Sequence, residues 1–251
     1  MLFCLTINRD VFLQVNFVGL RTFKLNNKGI VKIEGNGEDV RINGKAGSLV
    51  LVGKYKNIDL QNLEVYGTLL IRGRVENLII DSVEVRGDVD GVELVIDENF
   101  KCNNLSARTV NLSGLKAGKD LSVDYLSVEE YANLKNVHAN EINYDGLRAR
   151  EAYLDGTNAK KFKLDYSQIV RRLDCSGLKA DEVEIDHVRV GIGAIPSIFI
   201  GDNMKAENVS ILGVGFDGTI RLRKSSIGYL FTDYYGKIDF SDSVIKRTRY
   251  K

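Results

Sequence analysis

Apolar residues in this chain recur with a spacing of two, then three, then two again. Between Asn99 and Gly191 the chain divides into eighteen five-residue units once Lys119, Glu130 and Arg171 are set aside as single-residue insertions. The clearest run reads NVHAN, EINYD, GLRAR, EAYLD, GTNAK, KFKLD, from Asn136 to Asp165. At the second and fourth positions of the units every residue except Thr157 and Ser167 is apolar. At the first, third and fifth positions the apolar residues are Tyr125, Tyr131, Tyr153, Tyr166 and Val170.

Neither standard period accommodates this spacing. On an α-helix a five-residue step turns about 140°, so the apolar positions would wander around the cylinder. In one continuous strand the odd residue of each unit would swap the buried and exposed faces. The chain must therefore turn a corner within each unit, which predicts an all-β fold, a single-stranded β-solenoid or parallel β-helix. With four faces, a coil uses about 20 residues and adds about 4.8 Å, so about a dozen coils make a rod about 55–60 Å long. Ala139, Ala149 and Ala159 fall in alternate units, with Tyr144, Leu154 and Leu164 between them. Small and large inward residues on alternate faces let a narrow interior fill.

The units of 99–191 resemble those of the pentapeptide-repeat family, which implies a right-handed quadrilateral β-helix. Units such as GLRAR and GLKAD depart from that family's order, because Leu147 and Leu178 precede Ala149 and Ala180. The glycine-rich, β-branched stretch from Val31 to Lys54 is similar in texture to bactofilins, polymer-forming β-helix proteins. Neither resemblance brings a functional residue with it.

Residues 1–28 lack the five-residue step and are expected to cap the first coil, with 29–251 as one continuous solenoid. Ile58, Leu60, Leu63 and Val65 keep the spacing before the clear run, as do Met204, Ala206, Val209 and Ile211 after it. The segment GIGAIPSIFIG, 191–201, breaks the register and reads as a loop leaving the solenoid. After Ile227 an aromatic stretch and the basic end KRTRYK read as a C-terminal cap and tail, 227–251.

Composition narrows the functional classes. A hydrophobic content of 44% supports a real core, and 35 basic against 34 acidic residues leave a net charge of +1. That balance speaks against a strongly acidic nucleic-acid mimic and against a polyanion binder. No stretch approaches the ~20 apolar residues of a membrane helix, and the opening has no signal-peptide pattern, so a soluble, cytoplasmic chain is expected. Cys4, Cys102 and Cys175 are odd in number and far apart, without zinc-site spacing.

Candidate sites weigh against plain structural readings. His138 and His187 fall at outward positions and read as solvated; Cys102 and Cys175 fall inward and read as small core residues. Asp155, Asp165, Asp181 and Asp186 recur at unit ends, as a calcium or glycosidase ladder would require, yet corner chemistry accounts for them. A 20-residue stack sets Lys163 near Glu184, and Arg148 on one face with Arg189. Phosphate-loop, GxSxG and HExxH motifs are missing. The apolar excursion Ile195, Pro196, Ile198, Phe199 and Ile200 is the first candidate contact surface, and the outward tyrosines Tyr125, Tyr131, Tyr153 and Tyr166 are the second.

The expectation is a structural or scaffolding solenoid without catalysis or cofactor, acting through a homo-oligomer or a protein partner. The alternative is a glycan- or surface-binding module of a virion or cell surface, which needs outward aromatic and carboxylate side chains aligned across successive coils. Nucleic-acid binding through the basic tail and Arg172, Arg221 and Arg223 is a weaker third reading.

Overall fold

In the computed structural model, residues 2–5, 9–191, 198–216 and 218–250 are described. Every regular element among them is a β-strand, and the strands pair in parallel as a stacked coil. One inward column shows the whole stack. It runs Phe23, Ile42, Leu60, Ile80, Cys102, Val123, Tyr144, Leu164, Ile185, Ile211, Thr232, each residue paired with the next, and backbone pairing extends it by one step at either end, to Phe3 and to Tyr250. Twelve steps at strand spacing make a rod about 58 Å long. No helix of the described residues is long and apolar enough to cross a membrane.

The coil at 141–160 shows how five residues make one face. Glu141, Arg148, Glu151 and Asn158 pair with Lys161, Gln168, Arg172 and Lys179 of the next coil, one pair on each of four sides. Within a unit the second and fourth side chains point in. Leu154, Leu164 and Ile185 are fully buried, and so are Thr157 and Ser167, the two polar residues at inward positions. Ser167 is satisfied there: its Oγ accepts the Leu147 N–H at 3.2 Å and donates to the Asp165 carbonyl at 2.9 Å. Thr157 Oγ1 and the Tyr144 hydroxyl have no hydrogen-bond partner among the described residues. The Tyr144 ring instead meets Phe162 edge-on at 6.0 Å. Ala149 and Ala159 occupy two opposite sides while Tyr144 and Leu154 fill the interior from the other two.

Corners follow from backbone chemistry. The first residue of every second unit has positive φ: one corner runs Asn62, Ser82, Asn104, Tyr125, Gly146, Tyr166, His187, Gly213, and the other Glu93, Gly114, Asn136, Gly156, Gly177, Asn203, Lys224, Asp242. Gly and Asn enter this left-handed region most readily, which is why they open so many units. Arg171, set aside in the five-residue count, lies where the register slips between the pairs Ala149↔Ile169 and Glu151↔Arg172.

Three segments differ from the sequence reading. Within the expected cap 1–28, the strand Val11–Asn26 already pairs with Ile30–Ala46 from Val11↔Val31 onward and so belongs to the coil. The expected tail is a paired strand, Val244–Tyr250, because alternation of VIKRTRY continues the ladder of Ser226–Thr232. In 191–201, the step between paired residues grows from Ile169↔Val190 to Arg172↔Ile198, a separation of 21 becoming 26, so five residues are inserted between Val190 and Ile198. The chain has rejoined the coil by Ile198. Phe199 then pairs with Leu173 and Ile220 and is fully buried, and Ile200 is 6% exposed, so neither is the surface residue expected of them.

Candidate functional site: a ridge of carboxylates and aromatic rings

The most distinctive surface is one edge of the rod. Asp124, Asp145, Asp165 and Asp186 are paired in register in four successive coils. Each is followed by a corner residue of positive φ: Tyr125 at 58°, Gly146 at 69°, Tyr166 at 45° and His187 at 50°. A bulky aromatic residue is a rare occupant of that region; such strain costs about 1–2 kcal/mol per residue and clusters at working surfaces. Local hydrogen bonding offsets part of it, as the Tyr166 N–H donates to Asp165 Oδ1 at 2.9 Å.

The rings form a column. Tyr166 and His187 stack with centroids 4.8 Å apart and planes 13° from parallel. Tyr125 leans over Gly146, where a Cβ would lie 3.0 Å from the ring carbon Cδ1, so the missing side chain makes room for the ring. Tyr125 and Tyr166 stay 63% and 60% exposed, which leaves ring surface available to a partner.

Charge on the ridge is only partly balanced. Lys163 Nζ lies 3.1 Å from Asp165 Oδ2, and His187 Nδ1 lies 3.0 Å from Asp186 Oδ1 and 3.8 Å from Asp165 Oδ1. Asp145 has no ion pair among the described residues. Burial first, then the charges of Asp165 and Asp124, push its carboxyl above the ordinary value, against the pull of Lys163. Asp165, Asp186 and His187 bring one ligand atom each within 4.8 Å of one another. That trio has the donor set for a divalent cation, although Lys163 already engages Asp165.

Other candidates lie elsewhere or are already engaged. Ile195 and Pro196 lie outside the described residues, and Ile198 is half-buried at the start of the strand Ile198–Ile200. Tyr131 and Tyr153 stand on a different side from Tyr125 and Tyr166; Tyr153 sits beneath Lys135 and Arg172 at 4.8 and 5.5 Å. Arg172, Arg221 and Arg223 are each paired with a carboxylate, of Asp174, Asp202 and Asp239 respectively. Lys163 is in register with Glu184 but bonds Asp165, while Lys161 takes Glu184 at 3.5 Å. Arg148, Gln168 and Arg189 stack on one side as expected. His138 is exposed, its Nδ1 2.8 Å from the Asn136 carbonyl, and Asp155 pairs with Lys135 at 3.4 Å. Cys102 and Cys175 are buried, and desolvation above all pushes both thiols up, away from the reactive thiolate.

Asp124 and Asp145 were not singled out by the sequence reading. Taking every fourth unit exposes the signal: the dipeptides Asp124-Tyr125, Asp145-Gly146, Asp165-Tyr166 and Asp186-His187 recur once per coil. The fold and ridge together define a parallel β-solenoid with a periodic acidic and aromatic edge. Comparison of the chain with protein-family models, curated proteins and solved structures finds no match.

Proposed function

We propose that this protein is a structural or scaffolding β-solenoid, without catalysis, that works by contact with copies of itself or with a protein partner. The observation that supports this is the periodic surface. Some outward columns repeat one chemistry at strand spacing, as Asp124, Asp145, Asp165 and Asp186 do in four successive coils, so one weak contact is multiplied along that side. The five-residue step and four-sided coil favour kinship with pentapeptide-repeat solenoids, and the texture of 31–54 favours kinship with the polymer-forming bactofilins. Two buried free thiols, Cys102 and Cys175, suit a reducing compartment.

The aligned tyrosines and carboxylates of the ridge favour a second reading, a glycan-binding module, since rings offer flat apolar faces and carboxylates accept from hydroxyls. One experiment separates the two. Light scattering behind size exclusion, over a range of concentrations, shows a defined oligomer or growing mass if the first reading holds. A strict monomer whose native-gel mobility is retarded by soluble polysaccharide, with retardation lost in Tyr166→Ala, overturns it for the second.

A further inference from the structure

Another side of the rod carries charge of the opposite sign. Lys116, His138, Asn158, Lys179 and Lys205 are exposed and paired in register through five successive coils. No aspartate or glutamate stands in this column, and among the described residues none of its lysines forms an ion pair. Carboxylates do stand at its margin: exposed Asp181 and Glu207 lie two residues on from Lys179 and Lys205, in a file that also holds exposed Lys160 and Lys246. Small residues flank the column, including Gly156, Gly177, Ala180 and Ala206, which keeps it low. Around Lys205 it opens into a groove of about 640 Å³ lined by Ala180, Ala206, Glu207, Ser226, Gly228 and Lys246.

We propose that two copies of this chain associate side by side, the acidic ridge of one lying in the lysine-lined trough of the other. This rests on the self-association reading and names its surface. Shape agrees, since an exposed corner with projecting tyrosines is set against a glycine- and alanine-flanked trough. Period agrees as well: both ladders repeat at the same strand spacing, about 4.8 Å, so a match at one coil is a match at the next. The least neutralised acids, Asp124 and Asp145, are neighbours in register, and so are Lys179 and Lys205. Bringing the one pair over the other staggers parallel rods by two coils, about 10 Å. Exposed Tyr125 and Tyr166 add ring faces for the lysine ammonium groups.

End-to-end addition is less suited to this chain. The last strand, Val244–Tyr250, exposes Lys246, Arg247 and Arg249, and charged edge strands resist strand addition. The lateral contact joins two different surfaces, so it is heterologous and leaves a free ridge and a free trough on every dimer. Assembly then grows with concentration and weakens with salt, because exposed charges are screened beyond about 8 Å at physiological ionic strength.

Charge exchange tests the pairing. One variant carries Lys179→Glu and Lys205→Glu, the other Asp124→Lys and Asp145→Lys; circular dichroism and melting confirm that each folds. By sedimentation velocity the wild type associates in a salt-sensitive way. Each variant alone needs about tenfold or more higher concentration, since like charges now face each other. An equimolar mixture recovers association, because the reversed trough of one accepts the reversed ridge of the other. If the wild type associates and both variants do so equally well, or the mixture recovers nothing, the ridge-and-trough contact is wrong while self-association stands. A wild type that stays monomeric throughout removes both. Should either reversal unfold the chain, Lys179→Gln with Lys205→Gln and Asp124→Asn with Asp145→Asn replace it, each expected to weaken association without recovery on mixing.

Discussion

Gly53 occupies a position that no other residue fits. Its φ is 144°, and a Cβ there would lie 1.7 Å from the carbonyl oxygen of Gly35 in the coil below. Gly73 repeats the approach one coil later, its Cβ position 2.0 Å from the Gly53 oxygen. The obstacle is backbone held in a ladder, so it cannot move aside as a flexible side chain would. Gly19 differs: its φ is 78°, but nothing lies within 4 Å of an added Cβ. Gly53→Ala is therefore expected to cost on the order of 2 kcal/mol or more, and Gly19→Ala about 1 kcal/mol. Urea unfolding midpoints of the two variants measure the contrast, and equal midpoints would count against the close approach. The distinction could not be read from the residues alone, because glycine at a free corner and glycine under a neighbouring carbonyl look alike in sequence.

At the level of the strand and corner, what was legible follows from what repeats locally. Inward positions two and four are set by a five-residue rule that the coils of 99–191 share, so Leu147, Leu164 and Ile185 can be placed inside from the sequence alone. Outward neighbours are a different matter, since they depend on the sum of residues around a whole coil. Lys163 is in register with Glu184, as the stacking of coils predicts, but its ion partner is Asp165, two residues along the same strand, and register does not decide which neighbouring carboxylate a flexible lysine takes. The ridge needs the coil as well as the unit: Asp124, Asp145, Asp165 and Asp186 are each separated by three intervening units and become neighbours only because four units close a turn. Phe199 is the clearest case. Six residues, 192–197, separate the unit that ends at Gly191 from the one that Ile198 opens, one more than a whole unit, so IFI is out of phase with the count and the inward Phe199 reads as part of an exposed loop. With Phe199 packed between Leu173 and Ile220, Phe199→Asp buries an unpaired carboxylate and is expected to cost several kcal/mol, about 3–5. Tyr166→Ser, on the exposed ridge, should leave stability within about 1 kcal/mol. Thermal melts of the two decide it; a stable Phe199→Asp protein would mean that the Ile198–Ile200 strand does not hold its place in the coil.

For the molecule as a whole, stability is close to one-dimensional, because each coil touches only the coils before and after it. Interior coils bury two faces of backbone and side chain, while terminal coils bury one. The asymmetry is visible in exposure at inward positions: Leu13 near the start and Ile245 near the end are only partly buried, and Tyr250, in register with Thr232, is 56% exposed, whereas Tyr144, Phe162 and Leu164 midway are fully buried. Unfolding should then begin as fraying at the ends and reach the centre last. Hydrogen exchange measures this directly: in dilute protein, protection should be highest in the strands between Phe100 and Asp186 and lowest in Val11–Asn26 and Val244–Tyr250. Repeating the measurement on concentrated, assembled protein adds a geometric test. Rods joined side by side through the ridge and trough keep their end strands open, so the terminal amides should exchange as fast as before while amides near Tyr125, Tyr166 and Lys179 slow. Protection gained at Val244–Tyr250 instead would place the contact at the ends, where a second copy's backbone completes the ladder that the last coil leaves open.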